Sequence, residues 1–130
     1  MKSIIEKYYQ AFNNADYHTM LSLLDEGIEH EINQGGTQVG KESFKKFLAH
    51  MDHCYKEKLE DIVIMDASDG KHYSAEFIVN GEYLKTDGNL PEAHGQKYRL
   101  KAGTFFEVKQ EKITRVTTYY NLPLWIEMVK

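Results

Sequence analysis

The sequence predicts an α+β domain in which helices pack on one face of a curved, mainly antiparallel sheet. Two observations carry this. Apolar residues recur at helical spacing in the first half of the chain, to about Tyr55, and the second half switches to two-residue alternation broken by turn signals. Such a sheet wraps with its helices into a cone that side chains close at one end, leaving a pocket at the other.

The elements follow in order. Ile4, Ile5, Tyr8, Tyr9 and Phe12 lie on one helix face, and Asn13-Asn14 interrupts it. Asp16 suits the N-cap of a short second helix with Met20, Leu21, Leu23 and Leu24 inward, ended by Gly27. Residues 28–33 read as a short strand, followed by the loop Gln34-Gly35-Gly36-Thr37. From Lys41 to about Tyr55, a third helix carries the stripe Phe44, Phe47, Leu48, Met51, Cys54 and Tyr55.

Residues 62–67 then alternate as a strand, and Asp69-Gly70 signals a hairpin into a strand from His72 to Val79. Asn80-Gly81 reads as a turn or bulge before Glu82-Tyr83-Leu84. Tyr98, Leu100, Ala102, Thr104, Phe106 and Val108 share one face of the next strand; Val116, Thr118 and Tyr120 share one side of the last. The intervening segment, Lys85 to Lys97, exceeds a tight hairpin and has the length of a lid or rim.

Composition excludes several classes. The 130 residues suit one domain, 1–130, with 42% hydrophobic and 28% charged residues. A net charge of −4 argues against nucleic-acid binding, and no apolar run reaches membrane-span length. The lone Cys54 excludes an intrachain disulfide framework, and its place on the apolar stripe makes it a packing residue. A cytoplasmic setting is expected. Phosphate-loop, serine-elbow and His-Glu-x-x-His motifs are missing from the sequence, so no cofactor and no metal are expected. His50 and His53 could meet a metal from one helix face, but a solvated position is the simpler reading. Nine of the sixteen aromatic residues are tyrosines, which bring hydroxyls to whatever they line.

The stretch Ile28-Glu29-His30-Glu31-Ile32-Asn33 carries the chemical interest. In a strand, Glu29, Glu31 and Asn33 point one way and Ile28, His30 and Ile32 the other. If the isoleucines face the core, Glu31 is solvated; if the strand lines a pocket, Glu31 enters it beside Asn33 as a candidate general base. Tyr8 is similarly a core aromatic or a hydroxyl donor at a rim.

Several stretches together resemble the NTF2-like superfamily, within it the ketosteroid isomerases and SnoaL-like polyketide cyclases, and most closely the ketosteroid isomerase-related proteins. They include His30-Glu31-Ile32-Asn33-Gln34-Gly35, Phe47-Leu48-Ala49-His50-Met51, Leu90-Pro91-Glu92-Ala93, Gly103-Thr104-Phe105-Phe106 and Val116-Thr117-Thr118-Tyr119-Tyr120-Asn121. The resemblance implies a cone-shaped α+β fold with three N-terminal helices, commonly a homodimer formed through the sheet. It places Tyr8 where the isomerases have a tyrosine that donates to the steroid carbonyl oxygen. It also places Glu31, nine residues before the glycine of Gly40-Lys41-Glu42, at the position of their base. The isomerases' protonated aspartate, a carboxylic acid kept neutral by its apolar site, is unmatched; Thr104 falls nearest after a one-residue shift.

Three functions follow as expectations. The first is cofactor-free proton transfer alpha to a carbonyl, with Glu31 as base, Tyr8 at the enolate oxygen, and Thr104, Asn33, Met51, Val116 and Tyr120 contacting the substrate. The second is a non-catalytic module binding a small apolar or carbonyl-containing ligand. The third is an assembly domain with a closed pocket.

Overall fold

The computed structural model describes residues 2–32 and 34–130. The element order is α1 (Lys2–Asn13), α2 (Tyr17–Ser22), β1 (Leu24–Ile32), β2 (Gly36–Val39), α3 (Lys41–Cys54), β3 (Tyr55–Asp66), β4 (His72–Tyr83), β5 (Gln96–Lys109), β6 (Lys112–Tyr120) and α4 (Leu122–Val129). The strands form one six-stranded sheet in the order β2-β1-β6-β5-β4-β3. All neighbours are antiparallel except β1 and β6, which run parallel. This is the expected α+β arrangement: the helices cover the concave face, and β2 and β3 form its edges.

Side-chain period sets what faces the core. On β5, Tyr98, Leu100, Ala102, Thr104, Phe106 and Val108 are buried, as their alternation predicts. Tyr73, Ala75, Phe77 and Val79 do the same on β4. From α1 come Ile4, Ile5, Tyr8 and Tyr9; from α3 come Phe44 and Leu48. Tyr8, Tyr9, Phe77 and Phe106 meet mostly edge to face at centroid separations of 5.2 to 5.8 Å, which seals the narrow end of the cone.

Five local features bear on the expectations. Helix α2 stops at Ser22, and Gly27 lies inside β1 rather than ending the helix. Asp16 caps it as predicted, accepting from the Thr19 backbone N–H at 3.2 Å. Part of the expected 34–37 loop belongs to β2, because its backbone pairs with β1 from Glu29↔Val39 to Ile32↔Gly36. Asn80-Gly81 is neither turn nor bulge: β4 runs unbroken through it. The irregularity lies further along the pair, between Glu60 and Val63 of β3, across from Ile78 and Glu76, where Asp61 takes φ +53°. Finally, α4 is an element beyond the helices expected from the sequence. Asn121 caps it, accepting from the Leu124 N–H at 3.1 Å, and Pro123 occupies its first turn.

Two ties position the site. Asn13, at the end of α1, satisfies both backbone groups of Leu59: its Nδ2 donates to the carbonyl at 3.0 Å and its Oδ1 accepts from the N–H at 2.8 Å. The long β4–β5 segment is pinned rather than loose. The Tyr83 hydroxyl donates to the Pro91 carbonyl at 2.7 Å and accepts from the Asp87 N–H at 3.0 Å, and the Ala93 N–H reaches Thr86 Oγ1 at 3.0 Å.

Candidate active site

The cone encloses a cavity of about 300 Å³, the size of small-ligand pockets. Its walls are mainly aromatic and aliphatic, and three sets of polar groups among its lining bear on chemistry.

The first set is a row across three strands. Register places Glu57 of β3 opposite Gly81 of β4, and Gly81 opposite Tyr98 of β5. Residues so aligned point to one face, and with no side chain on Gly81 the Tyr98 ring lies across its backbone. A Cβ on Gly81 would stand 2.4 Å from that ring. The Tyr98 hydroxyl thereby reaches Glu57 and donates to its Oε2. Glu57 is half-buried and opens onto the cavity. Burial pushes its carboxyl above the usual range, and the Tyr98 hydrogen bond opposes that only in part. Trp125 of α4 packs edge to face on Tyr98 at 5.7 Å and on Tyr83 at 4.9 Å, holding this wall in place.

The second set stands where the pinned β4–β5 segment meets α3. Asp87 accepts from the Tyr55 hydroxyl at 2.7 Å and pairs with His50 Nε2 at 2.8 Å. The sequence pattern puts His50 on a solvated face; it is exposed, yet turned to Asp87. Cys54 Sγ lies 3.9 Å from the same nitrogen, and the three potential ligand atoms fall within 4.8 Å of one another. Burial raises the Cys54 thiol pKa, with Asp87 adding to it, so sulfur stays protonated and the trio reads as a hydrogen-bonded cluster.

The third set lies deeper. Burial raises the Tyr8 pKa, so its hydroxyl remains a neutral donor. Thr104 is 2% exposed, and its Oγ1 has no hydrogen-bond partner among the described residues. His30 is 5% exposed, with Nδ1 likewise unpartnered.

The candidate residues from sequence divide accordingly. Tyr8, Thr104, Met51, Val116 and Tyr120 all line the cavity. Asn33 lies outside the described residues. Glu31 borders the cavity as well, with its carboxylate tied to neighbours on β6. Ile28 is fully buried and His30 nearly so, so His30 takes the inward position of β1 beside Glu31. The Glu31 carboxylate accepts from Thr117 Oγ1 at 2.5 Å and lies 3.5 Å from Arg115, which also pairs with Glu107 at 2.5 Å. Glu57 and Asp87 are two further carboxylates that line the cavity, and neither stands out in the sequence. The one signal for Glu57 is Gly81, a glycine inside a strand pattern, which marks close approach as readily as a bulge.

This aromatic-walled cone, opening toward one end of a curved sheet, is the architecture of NTF2-like proteins. The chain belongs to the SnoaL-like domain family, which matches residues 5–116. Among solved structures, a candidate polyketide cyclase from Pseudomonas putida is 49% identical, with a TM-score of 0.96 over 98% of this chain and 96% of that one. Another candidate polyketide cyclase, from Silicibacter sp., is 50% identical, with a TM-score of 0.96 over 98% of this chain and 93% of that one. A candidate isomerase from Bacillus subtilis shares the fold at 17% identity, with a TM-score of 0.81 over 97% and 89% of the two chains. A comparison with the curated proteins finds no match.

Proposed function

We propose that the protein is a cofactor-free enzyme of proton transfer, acting alpha to the carbonyl of a small, largely apolar substrate held in the cone. The observation that carries this reading is Glu57. A carboxyl group open to an apolar cavity, raised in pKa by burial and oriented by a tyrosine hydroxyl, has what a general base needs at neutral pH. In the forward step Glu57 takes the alpha proton, and the electron pair of the broken C–H bond moves onto the carbonyl oxygen as an enolate. Tyr8 and Thr104, neutral hydroxyl donors deeper in the cone, are the groups available to that oxygen. The protonated Glu57 then returns its proton at another carbon, giving isomerisation. If the enolate carbon instead attacks a second carbonyl, a ring closes and the proton goes to the new alkoxide. The description carried by the relatives near 50% identity fits that second outcome.

The test is Glu57→Gln on a panel of enolisable ketones and β-polyketones. Gln keeps an acceptor for Tyr98 but cannot take the proton, so turnover should fall by at least about 10²-fold with ligand affinity retained. Full turnover in that variant overturns the assignment. Retained ligand with no turnover of any substrate in the wild type selects the non-catalytic binding reading instead.

The homodimer implied by the resemblance belongs to the same proposal. Val63, Met65, Phe105 and Tyr119 are large apolar side chains, each about half exposed, on the convex face of the sheet. Phe105 and Tyr119 already pair edge to face at 5.7 Å. A second copy of the chain on that face would cover them.

A further inference from the structure

Besides Thr104, one side chain of the cone, His30, keeps a buried polar atom without a hydrogen-bond partner among the described residues. His30 enters from β1, opposite Val116 of β6, and its ring sits between those of Phe44 and Phe47, at centroid distances of 4.8 and 4.4 Å. It is 5% exposed, lines the cavity, and its Nδ1 has no hydrogen-bond partner among the described residues. Leaving a buried polar atom unpaired costs roughly 1–3 kcal/mol, and phenylalanine would fill an aromatic cage of this shape without that cost. A polar atom kept at such a position is one that something entering the cavity satisfies.

We propose that His30 is a ligand-binding residue that hydrogen-bonds an uncharged oxygen group, a hydroxyl or a carbonyl, on a ring seated against Phe44 and Phe47. Two features define that chemistry. Burial pushes the imidazole down to about 4, so at neutral pH it carries one N–H donor and one free lone pair, which suits either oxygen group. The ionisable groups around the cavity are Glu57, Asp87, Glu31, His50 and the tyrosines, with neither lysine nor arginine among the described lining residues. A carboxylate placed at His30 would therefore meet no compensating charge. The inference rests on reading the cone as a ligand cavity but not on Glu57 acting as a base.

The experiment compares naphthalene, 2-naphthol and 2-naphthoate on the full chain and on His30→Phe. On the wild type, 2-naphthol should bind about tenfold more tightly than naphthalene, the equivalent of one hydrogen bond in an otherwise unpaired site, and 2-naphthoate should bind weakest. In His30→Phe the preference for the hydroxyl should fall close to unity, with naphthalene binding preserved. As a check independent of that variant's folding, the ¹⁵N resonances of the His30 ring should move on adding 2-naphthol and stay in place with naphthalene. Wild-type binding indifferent to the hydroxyl, a preference that survives in His30→Phe, or unmoved ring resonances would overturn the inference alone. Failure of all three compounds to bind the wild type overturns the cavity reading with it.

Discussion

Tyr98 reaches Glu57 over Gly81, so three residues on three adjacent strands make one hydrogen-bonded unit. The glycine is structural in a specific sense: a methyl there would meet the Tyr98 ring at 2.4 Å, with Trp125 packed on the same ring. Gly81→Ala should destabilise the fold by about 1–3 kcal/mol, the usual cost of overpacking a filled region. It should also separate Tyr98 from Glu57, abolishing activity even below the melting transition. Thermal unfolding and turnover measured together check this; a variant with wild-type melting and turnover contradicts the close approach.

Glu57 also makes a claim on stability. Its folded pKa is raised above the unfolded value of 4.5, so the folded state holds the proton more tightly. The stabilisation from the protonated form is complete below pH 4.5 and is lost as pH rises through the folded pKa. Above that point the ionised carboxylate is a burden. Glu57→Gln should therefore melt higher than the wild type at pH 8, with the gain shrinking toward pH 4. Equal melting at both pH values would mean that the carboxylate is not desolvated.

The strand faces show what is legible in the sequence. On β5 six apolar or small residues alternate without exception, and the buried face follows directly. β1 admits two opposite parities: the resemblance favours Glu31 as the inward residue, while the isoleucines favour His30. Burial of His30 decides it, because side chains alternate over the regularly paired residues 29–32. Gly81 is ambiguous for another reason: local sequence distinguishes a turn from a close approach only when the residue across the sheet is known, and Tyr98 lies 17 positions away. Asp87 reaches His50 across 37 positions, a pairing no local pattern encodes. By contrast, α4 does carry local signals, in Asn121 and Pro123.

His30 makes the fold acid-sensitive in a defined window. Its pKa falls from 6.5 in the unfolded chain to about 4 in the fold, through burial. A depressed pKa contributes stability that is present above 6.5 and lost as pH drops toward 4, because the unfolded chain takes up the proton first. Unfolding titrations at pH 7 and pH 4.5 should show a smaller drop for His30→Phe than for the wild type. An equal drop in both would remove His30 as the source.

The convex face should hold two copies together. Placing a carboxylate among Phe105, Tyr119, Val63 and Met65 would bury a charge in any such interface, so Phe105→Glu should shift the protein from dimer to monomer. Phe105 is about half exposed, and the variant should retain its fold by circular dichroism. Light scattering reads the mass directly, and a wild type that is monomeric at tens of micromolar ends this reading.

Asp87 fastens the β4–β5 segment to the body of the cone. Its carboxylate accepts from Tyr55 at 2.7 Å and pairs with His50 at 2.8 Å, while its backbone N–H donates to Tyr83. Only the backbone contact survives in Asp87→Ala, and the Tyr55 hydroxyl loses its acceptor. Loss of a hydrogen bond to a charged group costs about 1.5–3 kcal/mol, discounted here because His50 and much of the pair are open to water. Amide exchange across residues 86–93 should therefore quicken by roughly tenfold, equivalent to about 1.4 kcal/mol, while amides of β5 hold their wild-type rates. Because the segment stands over the cavity, ligand dissociation should accelerate in the same variant. Unchanged exchange across 86–93 would show that Tyr83 and Thr86 hold the segment without Asp87.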